Sequence, residues 1–165
     1  ILPLGGVADT APWAWNGSQP ELSQQIARSI VSTMQGDPLH KSDLAALKAY
    51  VRTLQPPPSL ASARDEIDPV ATAAGEKLFA SLGCAECHQP PNYTAAATYD
   101  VGLTDKLGNR LFNPPSLRGV SQRGPLFHDN RAASIRDVLI QEQHQLAKPL
   151  SAGELEQLLA FLNSL

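Results

Sequence analysis

Cys84, Cys87 and His88 stand at i, i+3 and i+4 in the run Cys84-Ala85-Glu86-Cys87-His88. On a helical turn those three side chains share one face. Two thiols so placed can bond to the two vinyl groups along one edge of a haem while the imidazole reaches the iron. Cys-x-x-Cys-His is the attachment signature of haem c. The spacing therefore predicts a single covalent haem c, held by Cys84 and Cys87, with His88 on the iron. Competing readings of the same residues fit poorly. A thioredoxin-like pair belongs beside a βαβ pattern, and no segment here alternates convincingly as a strand. A structural zinc needs four ligands, usually including a second tight pair, whereas His40, His128 and His144 are scattered. A disulfide across two intervening helical residues would be strained.

A cofactor of that size also suits the composition. Only 5% of the 165 residues are aromatic, while Pro (14) and Gly (11) are abundant. So little large apolar surface limits what side chains alone can bury. The chain is 42% hydrophobic and 18% charged, with a net charge of −3. That balance implies neither nucleic acid nor a membrane surface as a partner. No apolar run approaches the ~18 to 20 residues of a membrane span. The opening Ile1-Leu2-Pro3-Leu4-Gly5-Gly6 lacks the basic start and long apolar stretch of a signal peptide, and there is no initiator Met. A processed chain, or part of a larger multidomain one, is expected.

Apolar periodicity predicts helices over 21–35, 42–54, 70–83 and 152–164, and a fifth over about 133–146. Asp68-Pro69 reads as a cap and first-turn pair, and Ser151 with Glu154 as a capping box. Residues 89–118 read as a long functional loop, and Gln55-Pro56-Pro57-Pro58-Ser59 as a stiff spacer. An internal repeat runs through the chain. Leu4-Gly5-Gly6-Val7 with Pro12 matches Leu117-Arg118-Gly119-Val120 with Pro125, and Ala49-Tyr50-Val51-Arg52-Thr53-Leu54 matches Ala160-Phe161-Leu162-Asn163-Ser164-Leu165. The expected architecture is all-α: a haemless helical half-domain at 1–55, a Pro-rich linker at 56–60 and a haem-binding domain at 61–165. The first copy is either the tail of a haem domain whose front half lies upstream or a copy that has lost its haem.

Gly75-Glu76-Lys77-Leu78-Phe79 running into the attachment motif resembles the class I cytochrome c fold. The segments Asn113-Pro114-Pro115-Ser116-Leu117-Arg118-Gly119-Val120 and Phe127-His128-Asp129-Asn130-Arg131-Ala132-Ala133-Ser134 resemble the C-terminal domain of the di-haem cytochrome c peroxidase and MauG group. The final helix is similar to theirs as well. The resemblance implies that Arg118 sits near a haem propionate, and that the chain works in the periplasm or outside the cell, where haem c is attached.

The sixth position on the iron divides the possible functions, because two axial ligands close it for electron transfer and one leaves room for peroxide. His144, at the end of the helix expected over 133–146, is the first candidate. It lies in the region where the related proteins carry a distal methionine. Met34, the one Met, is the alternative ligand, although core packing with Ile30 is the expectation. His128 ranks third and is expected to be a hydrogen-bonding turn residue beside Asp129, and His40 to be solvated. Trp13 and Trp15 read as a small core anchor. The expected function is that of a mono-haem electron-transfer cytochrome serving a redox partner protein. The alternative is part of a peroxidase or MauG-like oxidoreductase with an open haem site, and whether the chain is itself an enzyme stays open.

Overall fold

The structure is a computed structural model describing residues 4–165, so Ile1, Leu2 and Pro3 lie outside the described residues. Helices are α1 (Leu22–Arg28), α2 (Lys41–Val51), α3 (Leu60–Ala63), α4 (Pro69–Ser81), α5 (Cys84–Cys87), α6 (Ile135–Ile140) and α7 (Ala152–Ser164). Two short strands, β1 (Tyr99–Asp100) and β2 (Leu111–Phe112), pair antiparallel within the long loop. The fold is thus mostly helical, as expected, with a small ladder that no sequence alternation announced.

Capping sets the ends of the two main helices. Asp68 Oδ1 accepts from the N–H groups of Val70 (2.9 Å) and Ala71 (3.0 Å), with Pro69 in the first turn of α4. At α7, Ser151 Oγ accepts from Glu154 N at 3.3 Å while Glu154 Oε2 accepts from Ser151 N at 2.8 Å. These bonds satisfy donors that a helix start leaves orphaned. The helices cross where Gly75 meets the backbone of Gln157. Around the crossing lies the core of Phe79, Val120, Leu139, Leu155, Leu158, Leu159, Phe161 and Leu162.

Two elements differ from expectation. The helix expected over 21–35 is α1 followed by a wider π turn over Ser29–Thr33. The helix expected over 133–146 stops at Ile140, because Gln143 and Gln145 are left-handed (φ 44 and 54). A helix cannot pass through such residues. The Pro-rich stretch 55–58 carries no helix or strand and leads into α3, which Ser59, 3% exposed, caps through its side chain.

The first part of the chain buries little. Leu22 and Val51 are buried, but Met34 is 73% and Tyr50 60% exposed. It meets the rest through the long loop: Asn113 N donates to Trp15 O at 2.8 Å, and Asn92 Nδ2 to Asp9 O at 3.3 Å.

Candidate haem site

Gly83 (φ 79) turns the chain sharply from α4 into α5, and His88 N closes that turn on Cys84 O at 2.9 Å. Both cysteines are free and half-buried. Burial pushes both thiols up, with the neighbouring Cys87 adding at Cys84 and Glu86 adding at Cys87. They are therefore neutral thiols, the form free to add to a vinyl group. Among the described residues no group of three or more Cys, His, Asp or Glu could hold a metal.

His88 is prepared for iron. Its Nδ1 lies 3.1 Å from Tyr93 O. A carbonyl only accepts, so Nδ1 carries the proton and Nε2 keeps its lone pair. Burial, against the partial support of that carbonyl, pushes the His88 pKa down to about 4, so the ring is neutral at pH 7. Tyr93 is itself fixed: its ring lies edge-on to Phe79 (6.0 Å) and to Phe161 (5.8 Å). Two unpaired thiols on one turn and an oriented neutral imidazole are the donor set that haem c requires, and the residues fit it.

His144 is half-buried. The ring is edge-on to Phe127 at 5.4 Å, and burial lowers its pKa. Charge on His144 is among the causes that lower the His88 pKa, so the two imidazoles lie within electrostatic reach. His144 does not end a helix, however. It sits in a bracket between the left-handed Gln143 and Gln145, with its N–H donated to Val138 O at 3.1 Å.

Other expectations need correction. Met34 does not pack in the core, since it is 73% exposed. His128 is no hydrogen-bonding turn residue: its ring stacks on Phe112 at 4.7 Å and its buried Nδ1 has no partner among the described residues. Trp13 does anchor, through Nε1–H to Val7 O at 2.9 Å, but Trp15 is 42% exposed and contributes its backbone. His40 is exposed, as expected. Arg118 is exposed too, and donates to Asn92 Oδ1 at 3.4 Å. Sequence reasoning missed Arg123. Its guanidinium is pushed down in pKa by burial, donates to the carbonyls of Ser116 and Arg118, and adds to the lowering at His88. Nothing in the spacing marks it, because its partners are backbone atoms. A separate cleft of about 280 Å³, lined by Ser121, Arg123, Ser134, Arg136 and Asn163 among others, contains no Cys or His and is not this site.

A mostly helical fold with Cys84, Cys87 and a half-buried, oriented His88 on one turn resembles that of c-type cytochromes. No family model matches the chain. Its homologues are the cytochrome c peroxidase and MauG proteins. It is 29% identical to a cytochrome c551 peroxidase of Pseudomonas aeruginosa over 90% of this chain and 50% of that protein. Identity is 27% to the cytochrome c551 peroxidase of Nitrosomonas europaea, over 55% of this chain and 33% of the relative. It is 34% to the methylamine utilization protein MauG of Methylorubrum extorquens, over 39% and 23%. The chain thus spans about half or less of these curated relatives. Two solved structures share the fold: hydrazine synthase of Kuenenia stuttgartiensis (TM-score 0.81, 20% identity, 98% of this chain and 70% of that one) and a MauG-like protein associated with microbial copper homeostasis (0.75, 18%, 99% and 72%). Motif and relatives together support haem c as the cofactor. Among the described residues no helix is long and apolar enough to cross a membrane.

Proposed function

We propose that this chain is the haem c-bearing portion of a cytochrome c peroxidase or MauG-like oxidoreductase, and that the haem it holds passes electrons. A free mono-haem carrier, the first expectation from sequence, is the weaker reading, because the relatives are peroxidases and MauG and the chain spans about half or less of each. The observation that supports the electron-transfer role is the half-buried His144 ring, seated edge-on against Phe127 and within electrostatic reach of His88.

When bound, the haem supplies an iron that cycles between ferric and ferrous. The chain supplies the rest. Cys84 and Cys87 would hold the haem covalently, and His88, oriented by the Tyr93 carbonyl, and His144 would supply nitrogen to its iron. Two nitrogen ligands would set the potential below that of a His/Met cytochrome. Arg118 is the candidate for the propionate, on resemblance. One haem is assigned to residues 61–165, and the redox partner is a protein met outside the cytoplasm, in the periplasm or beyond it.

Residues 1–55 are read as the closing half of a second such domain, lacking an attachment motif of its own. Paired hydrogen bonds support the repeat. Gly6 N donates to Leu54 O at 2.8 Å, and Gly119 N to Leu165 O at 3.0 Å. Trp13 N donates to Gln19 O at 2.8 Å, and Leu126 N to Ala132 O at 2.7 Å. Ala14 and Phe127 are both left-handed (φ 67 and 66).

The test is the optical spectrum of the haem-loaded protein and of His144→Ala, with and without cyanide or carbon monoxide. A low-spin spectrum unmoved by added ligand, which His144→Ala opens, is expected. A high-spin spectrum that shifts at once in the parent would move the open, peroxide-binding reading to first place.

A further inference from the structure

Three charged side chains that the proposed site does not use lie beside the Phe127 turn and the His144 bracket. Arg131, on the turn that carries Phe127, holds Asp129 with two donors: Nε to Oδ2 at 2.8 Å and Nη2 to Oδ2 at 2.6 Å. Its Nη1 lies 3.7 Å from Glu142 Oε2, on the bracket that carries His144. All three side chains are about one-third exposed, so the pairs are only partly screened by water. Arg131 thus ties the Phe127 turn to the His144 bracket at a second point, beside the ring contact of Phe127 with His144.

The other copy shows what this cluster replaces. Met34 N donates to Ser29 O and Gly36 N to Ile30 O, both at 2.9 Å. Glu142 N donates to Asp137 O at 3.0 Å and His144 N to Val138 O at 3.1 Å. Gln35 and Gln143 are both left-handed (φ 57 and 44). Backbone equivalence therefore sets Met34 against Glu142, and Gly36 against His144. On the turn, Ser18 N to Asn16 Oδ1 (3.2 Å) is the counterpart of Arg131 N to Asp129 Oδ1 (3.4 Å). Neutral Asn16, Ser18 and Met34 become Asp129, Arg131 and Glu142 together, in the copy that carries an imidazole two residues after the carboxylate.

We propose that Arg131 is a positioning residue that, through Glu142, holds the 141–146 bracket so that His144 faces His88. This rests on His144 being the second ligand. A bracket with two left-handed non-glycine residues keeps its shape only where its surroundings impose it. Backbone bonds from Glu142 N to Asp137 O and from His144 N to Val138 O, the Gln145 amide on Val101 O and the Arg131–Glu142 pair impose it here.

Haem-loaded Arg131→Ala and Glu142→Gln test this, the second leaving the Asp129–Arg131 turn intact. Both are expected to lose part of the low-spin ferric spectrum and to take up cyanide about threefold faster or more, the effect of a half-exposed ion pair. Haem content and helical circular dichroism should match the parent. Parent-like spectra and cyanide rates in both variants overturn the proposal. So does a change in Arg131→Ala alone, which would place the role in the turn. His144→Ala, measured alongside, separates the two levels. If it opens the site and the other two variants do not, only this inference falls. If it leaves the spectrum unchanged, the second-ligand reading falls and takes this one with it.

Discussion

Gly75 in α4 lies against Gln157 in α7 so closely that a Cβ on it would collide with the Gln157 carbonyl and stand 2.7 Å from the Cβ of Phe161. The neighbour is helix backbone, which cannot step aside as a flexible side chain can. Gly75 costs about 1 kcal/mol of helix propensity relative to Ala. The close crossing it permits lets Phe79 and Phe161 meet at 5.3 Å.

Gly75→Ala should therefore destabilise despite the gain in propensity. Overpacking of this kind costs about 1–3 kcal/mol. Denaturant unfolding of the haem-loaded protein would show a lower midpoint with an unchanged slope. A midpoint equal to or above the parent's would mean that the helices can part at this point without loss.

At the start of α7, hydrogen bonds from the Ser151 hydroxyl and backbone hold the Glu154 carboxyl below its usual range. A carboxylate with a depressed folded pKa contributes stability above its unfolded pKa, about 4.3, and loses it as pH falls through the folded value. Glu154→Gln should thus be less stable than the parent at neutral pH, and the difference should shrink to nothing in acid. Ser151→Ala removes the cap and should cost about 1 kcal/mol. Thermal unfolding from pH 7 to pH 3 checks both. A difference between parent and Glu154→Gln that persists undiminished in acid would contradict the linkage.

What the sequence made legible was local. Ser151 and Glu154 share one turn, as do Cys84, Cys87 and His88, so both the α7 start and the attachment site can be read without a fold. The end of α6 could not be. Val138, Leu139 and Leu146 continue the apolar period, and the left-handed Gln143 and Gln145 that break it are held from outside the segment. Arg123 and Glu142 were hidden for the same reason: their partners are a backbone carbonyl and a distant arginine. His144 was picked for its chemistry and its place in a resemblance, and it sits in a bracket rather than at the end of a helix. Met34 reads as core because it is apolar, yet the fold leaves it on the surface.

The long loop docks to the first part of the chain through Asn113. Its buried Nδ2 donates to Ala95 O at 2.7 Å and to Ala97 O at 3.1 Å, while its N–H meets Trp15 O. Asn113→Ala leaves the buried Ala95 carbonyl short of a donor, along with the more exposed one of Ala97, and should cost about 1–3 kcal/mol. Limited proteolysis would show where the loss falls: cleavage within 89–118 should accelerate before α7 is cut. Cleavage that begins in α7, or is no faster than in the parent, would show that Asn113 does not secure the loop.

His128 offers the opposite sign. Its ring is stacked on Phe112, and its Nδ1 is buried with no hydrogen-bond partner among the described residues. An unsatisfied buried polar atom costs about 1–3 kcal/mol, and replacing it with an apolar group of similar shape recovers much of that. His128→Phe keeps a flat ring on Phe112 and removes the orphan, so the variant should be more stable by about 1 kcal/mol. Its ferric spectrum should stay low-spin, because His144 and not His128 is the proposed ligand. The two readouts divide the alternatives. A stabilised variant with the parent spectrum leaves His128 a packing residue that fits its site imperfectly. A destabilised variant whose spectrum also changes would mean that Nδ1 finds its partner on the haem side, and would raise His128 above His144 as the residue to test next.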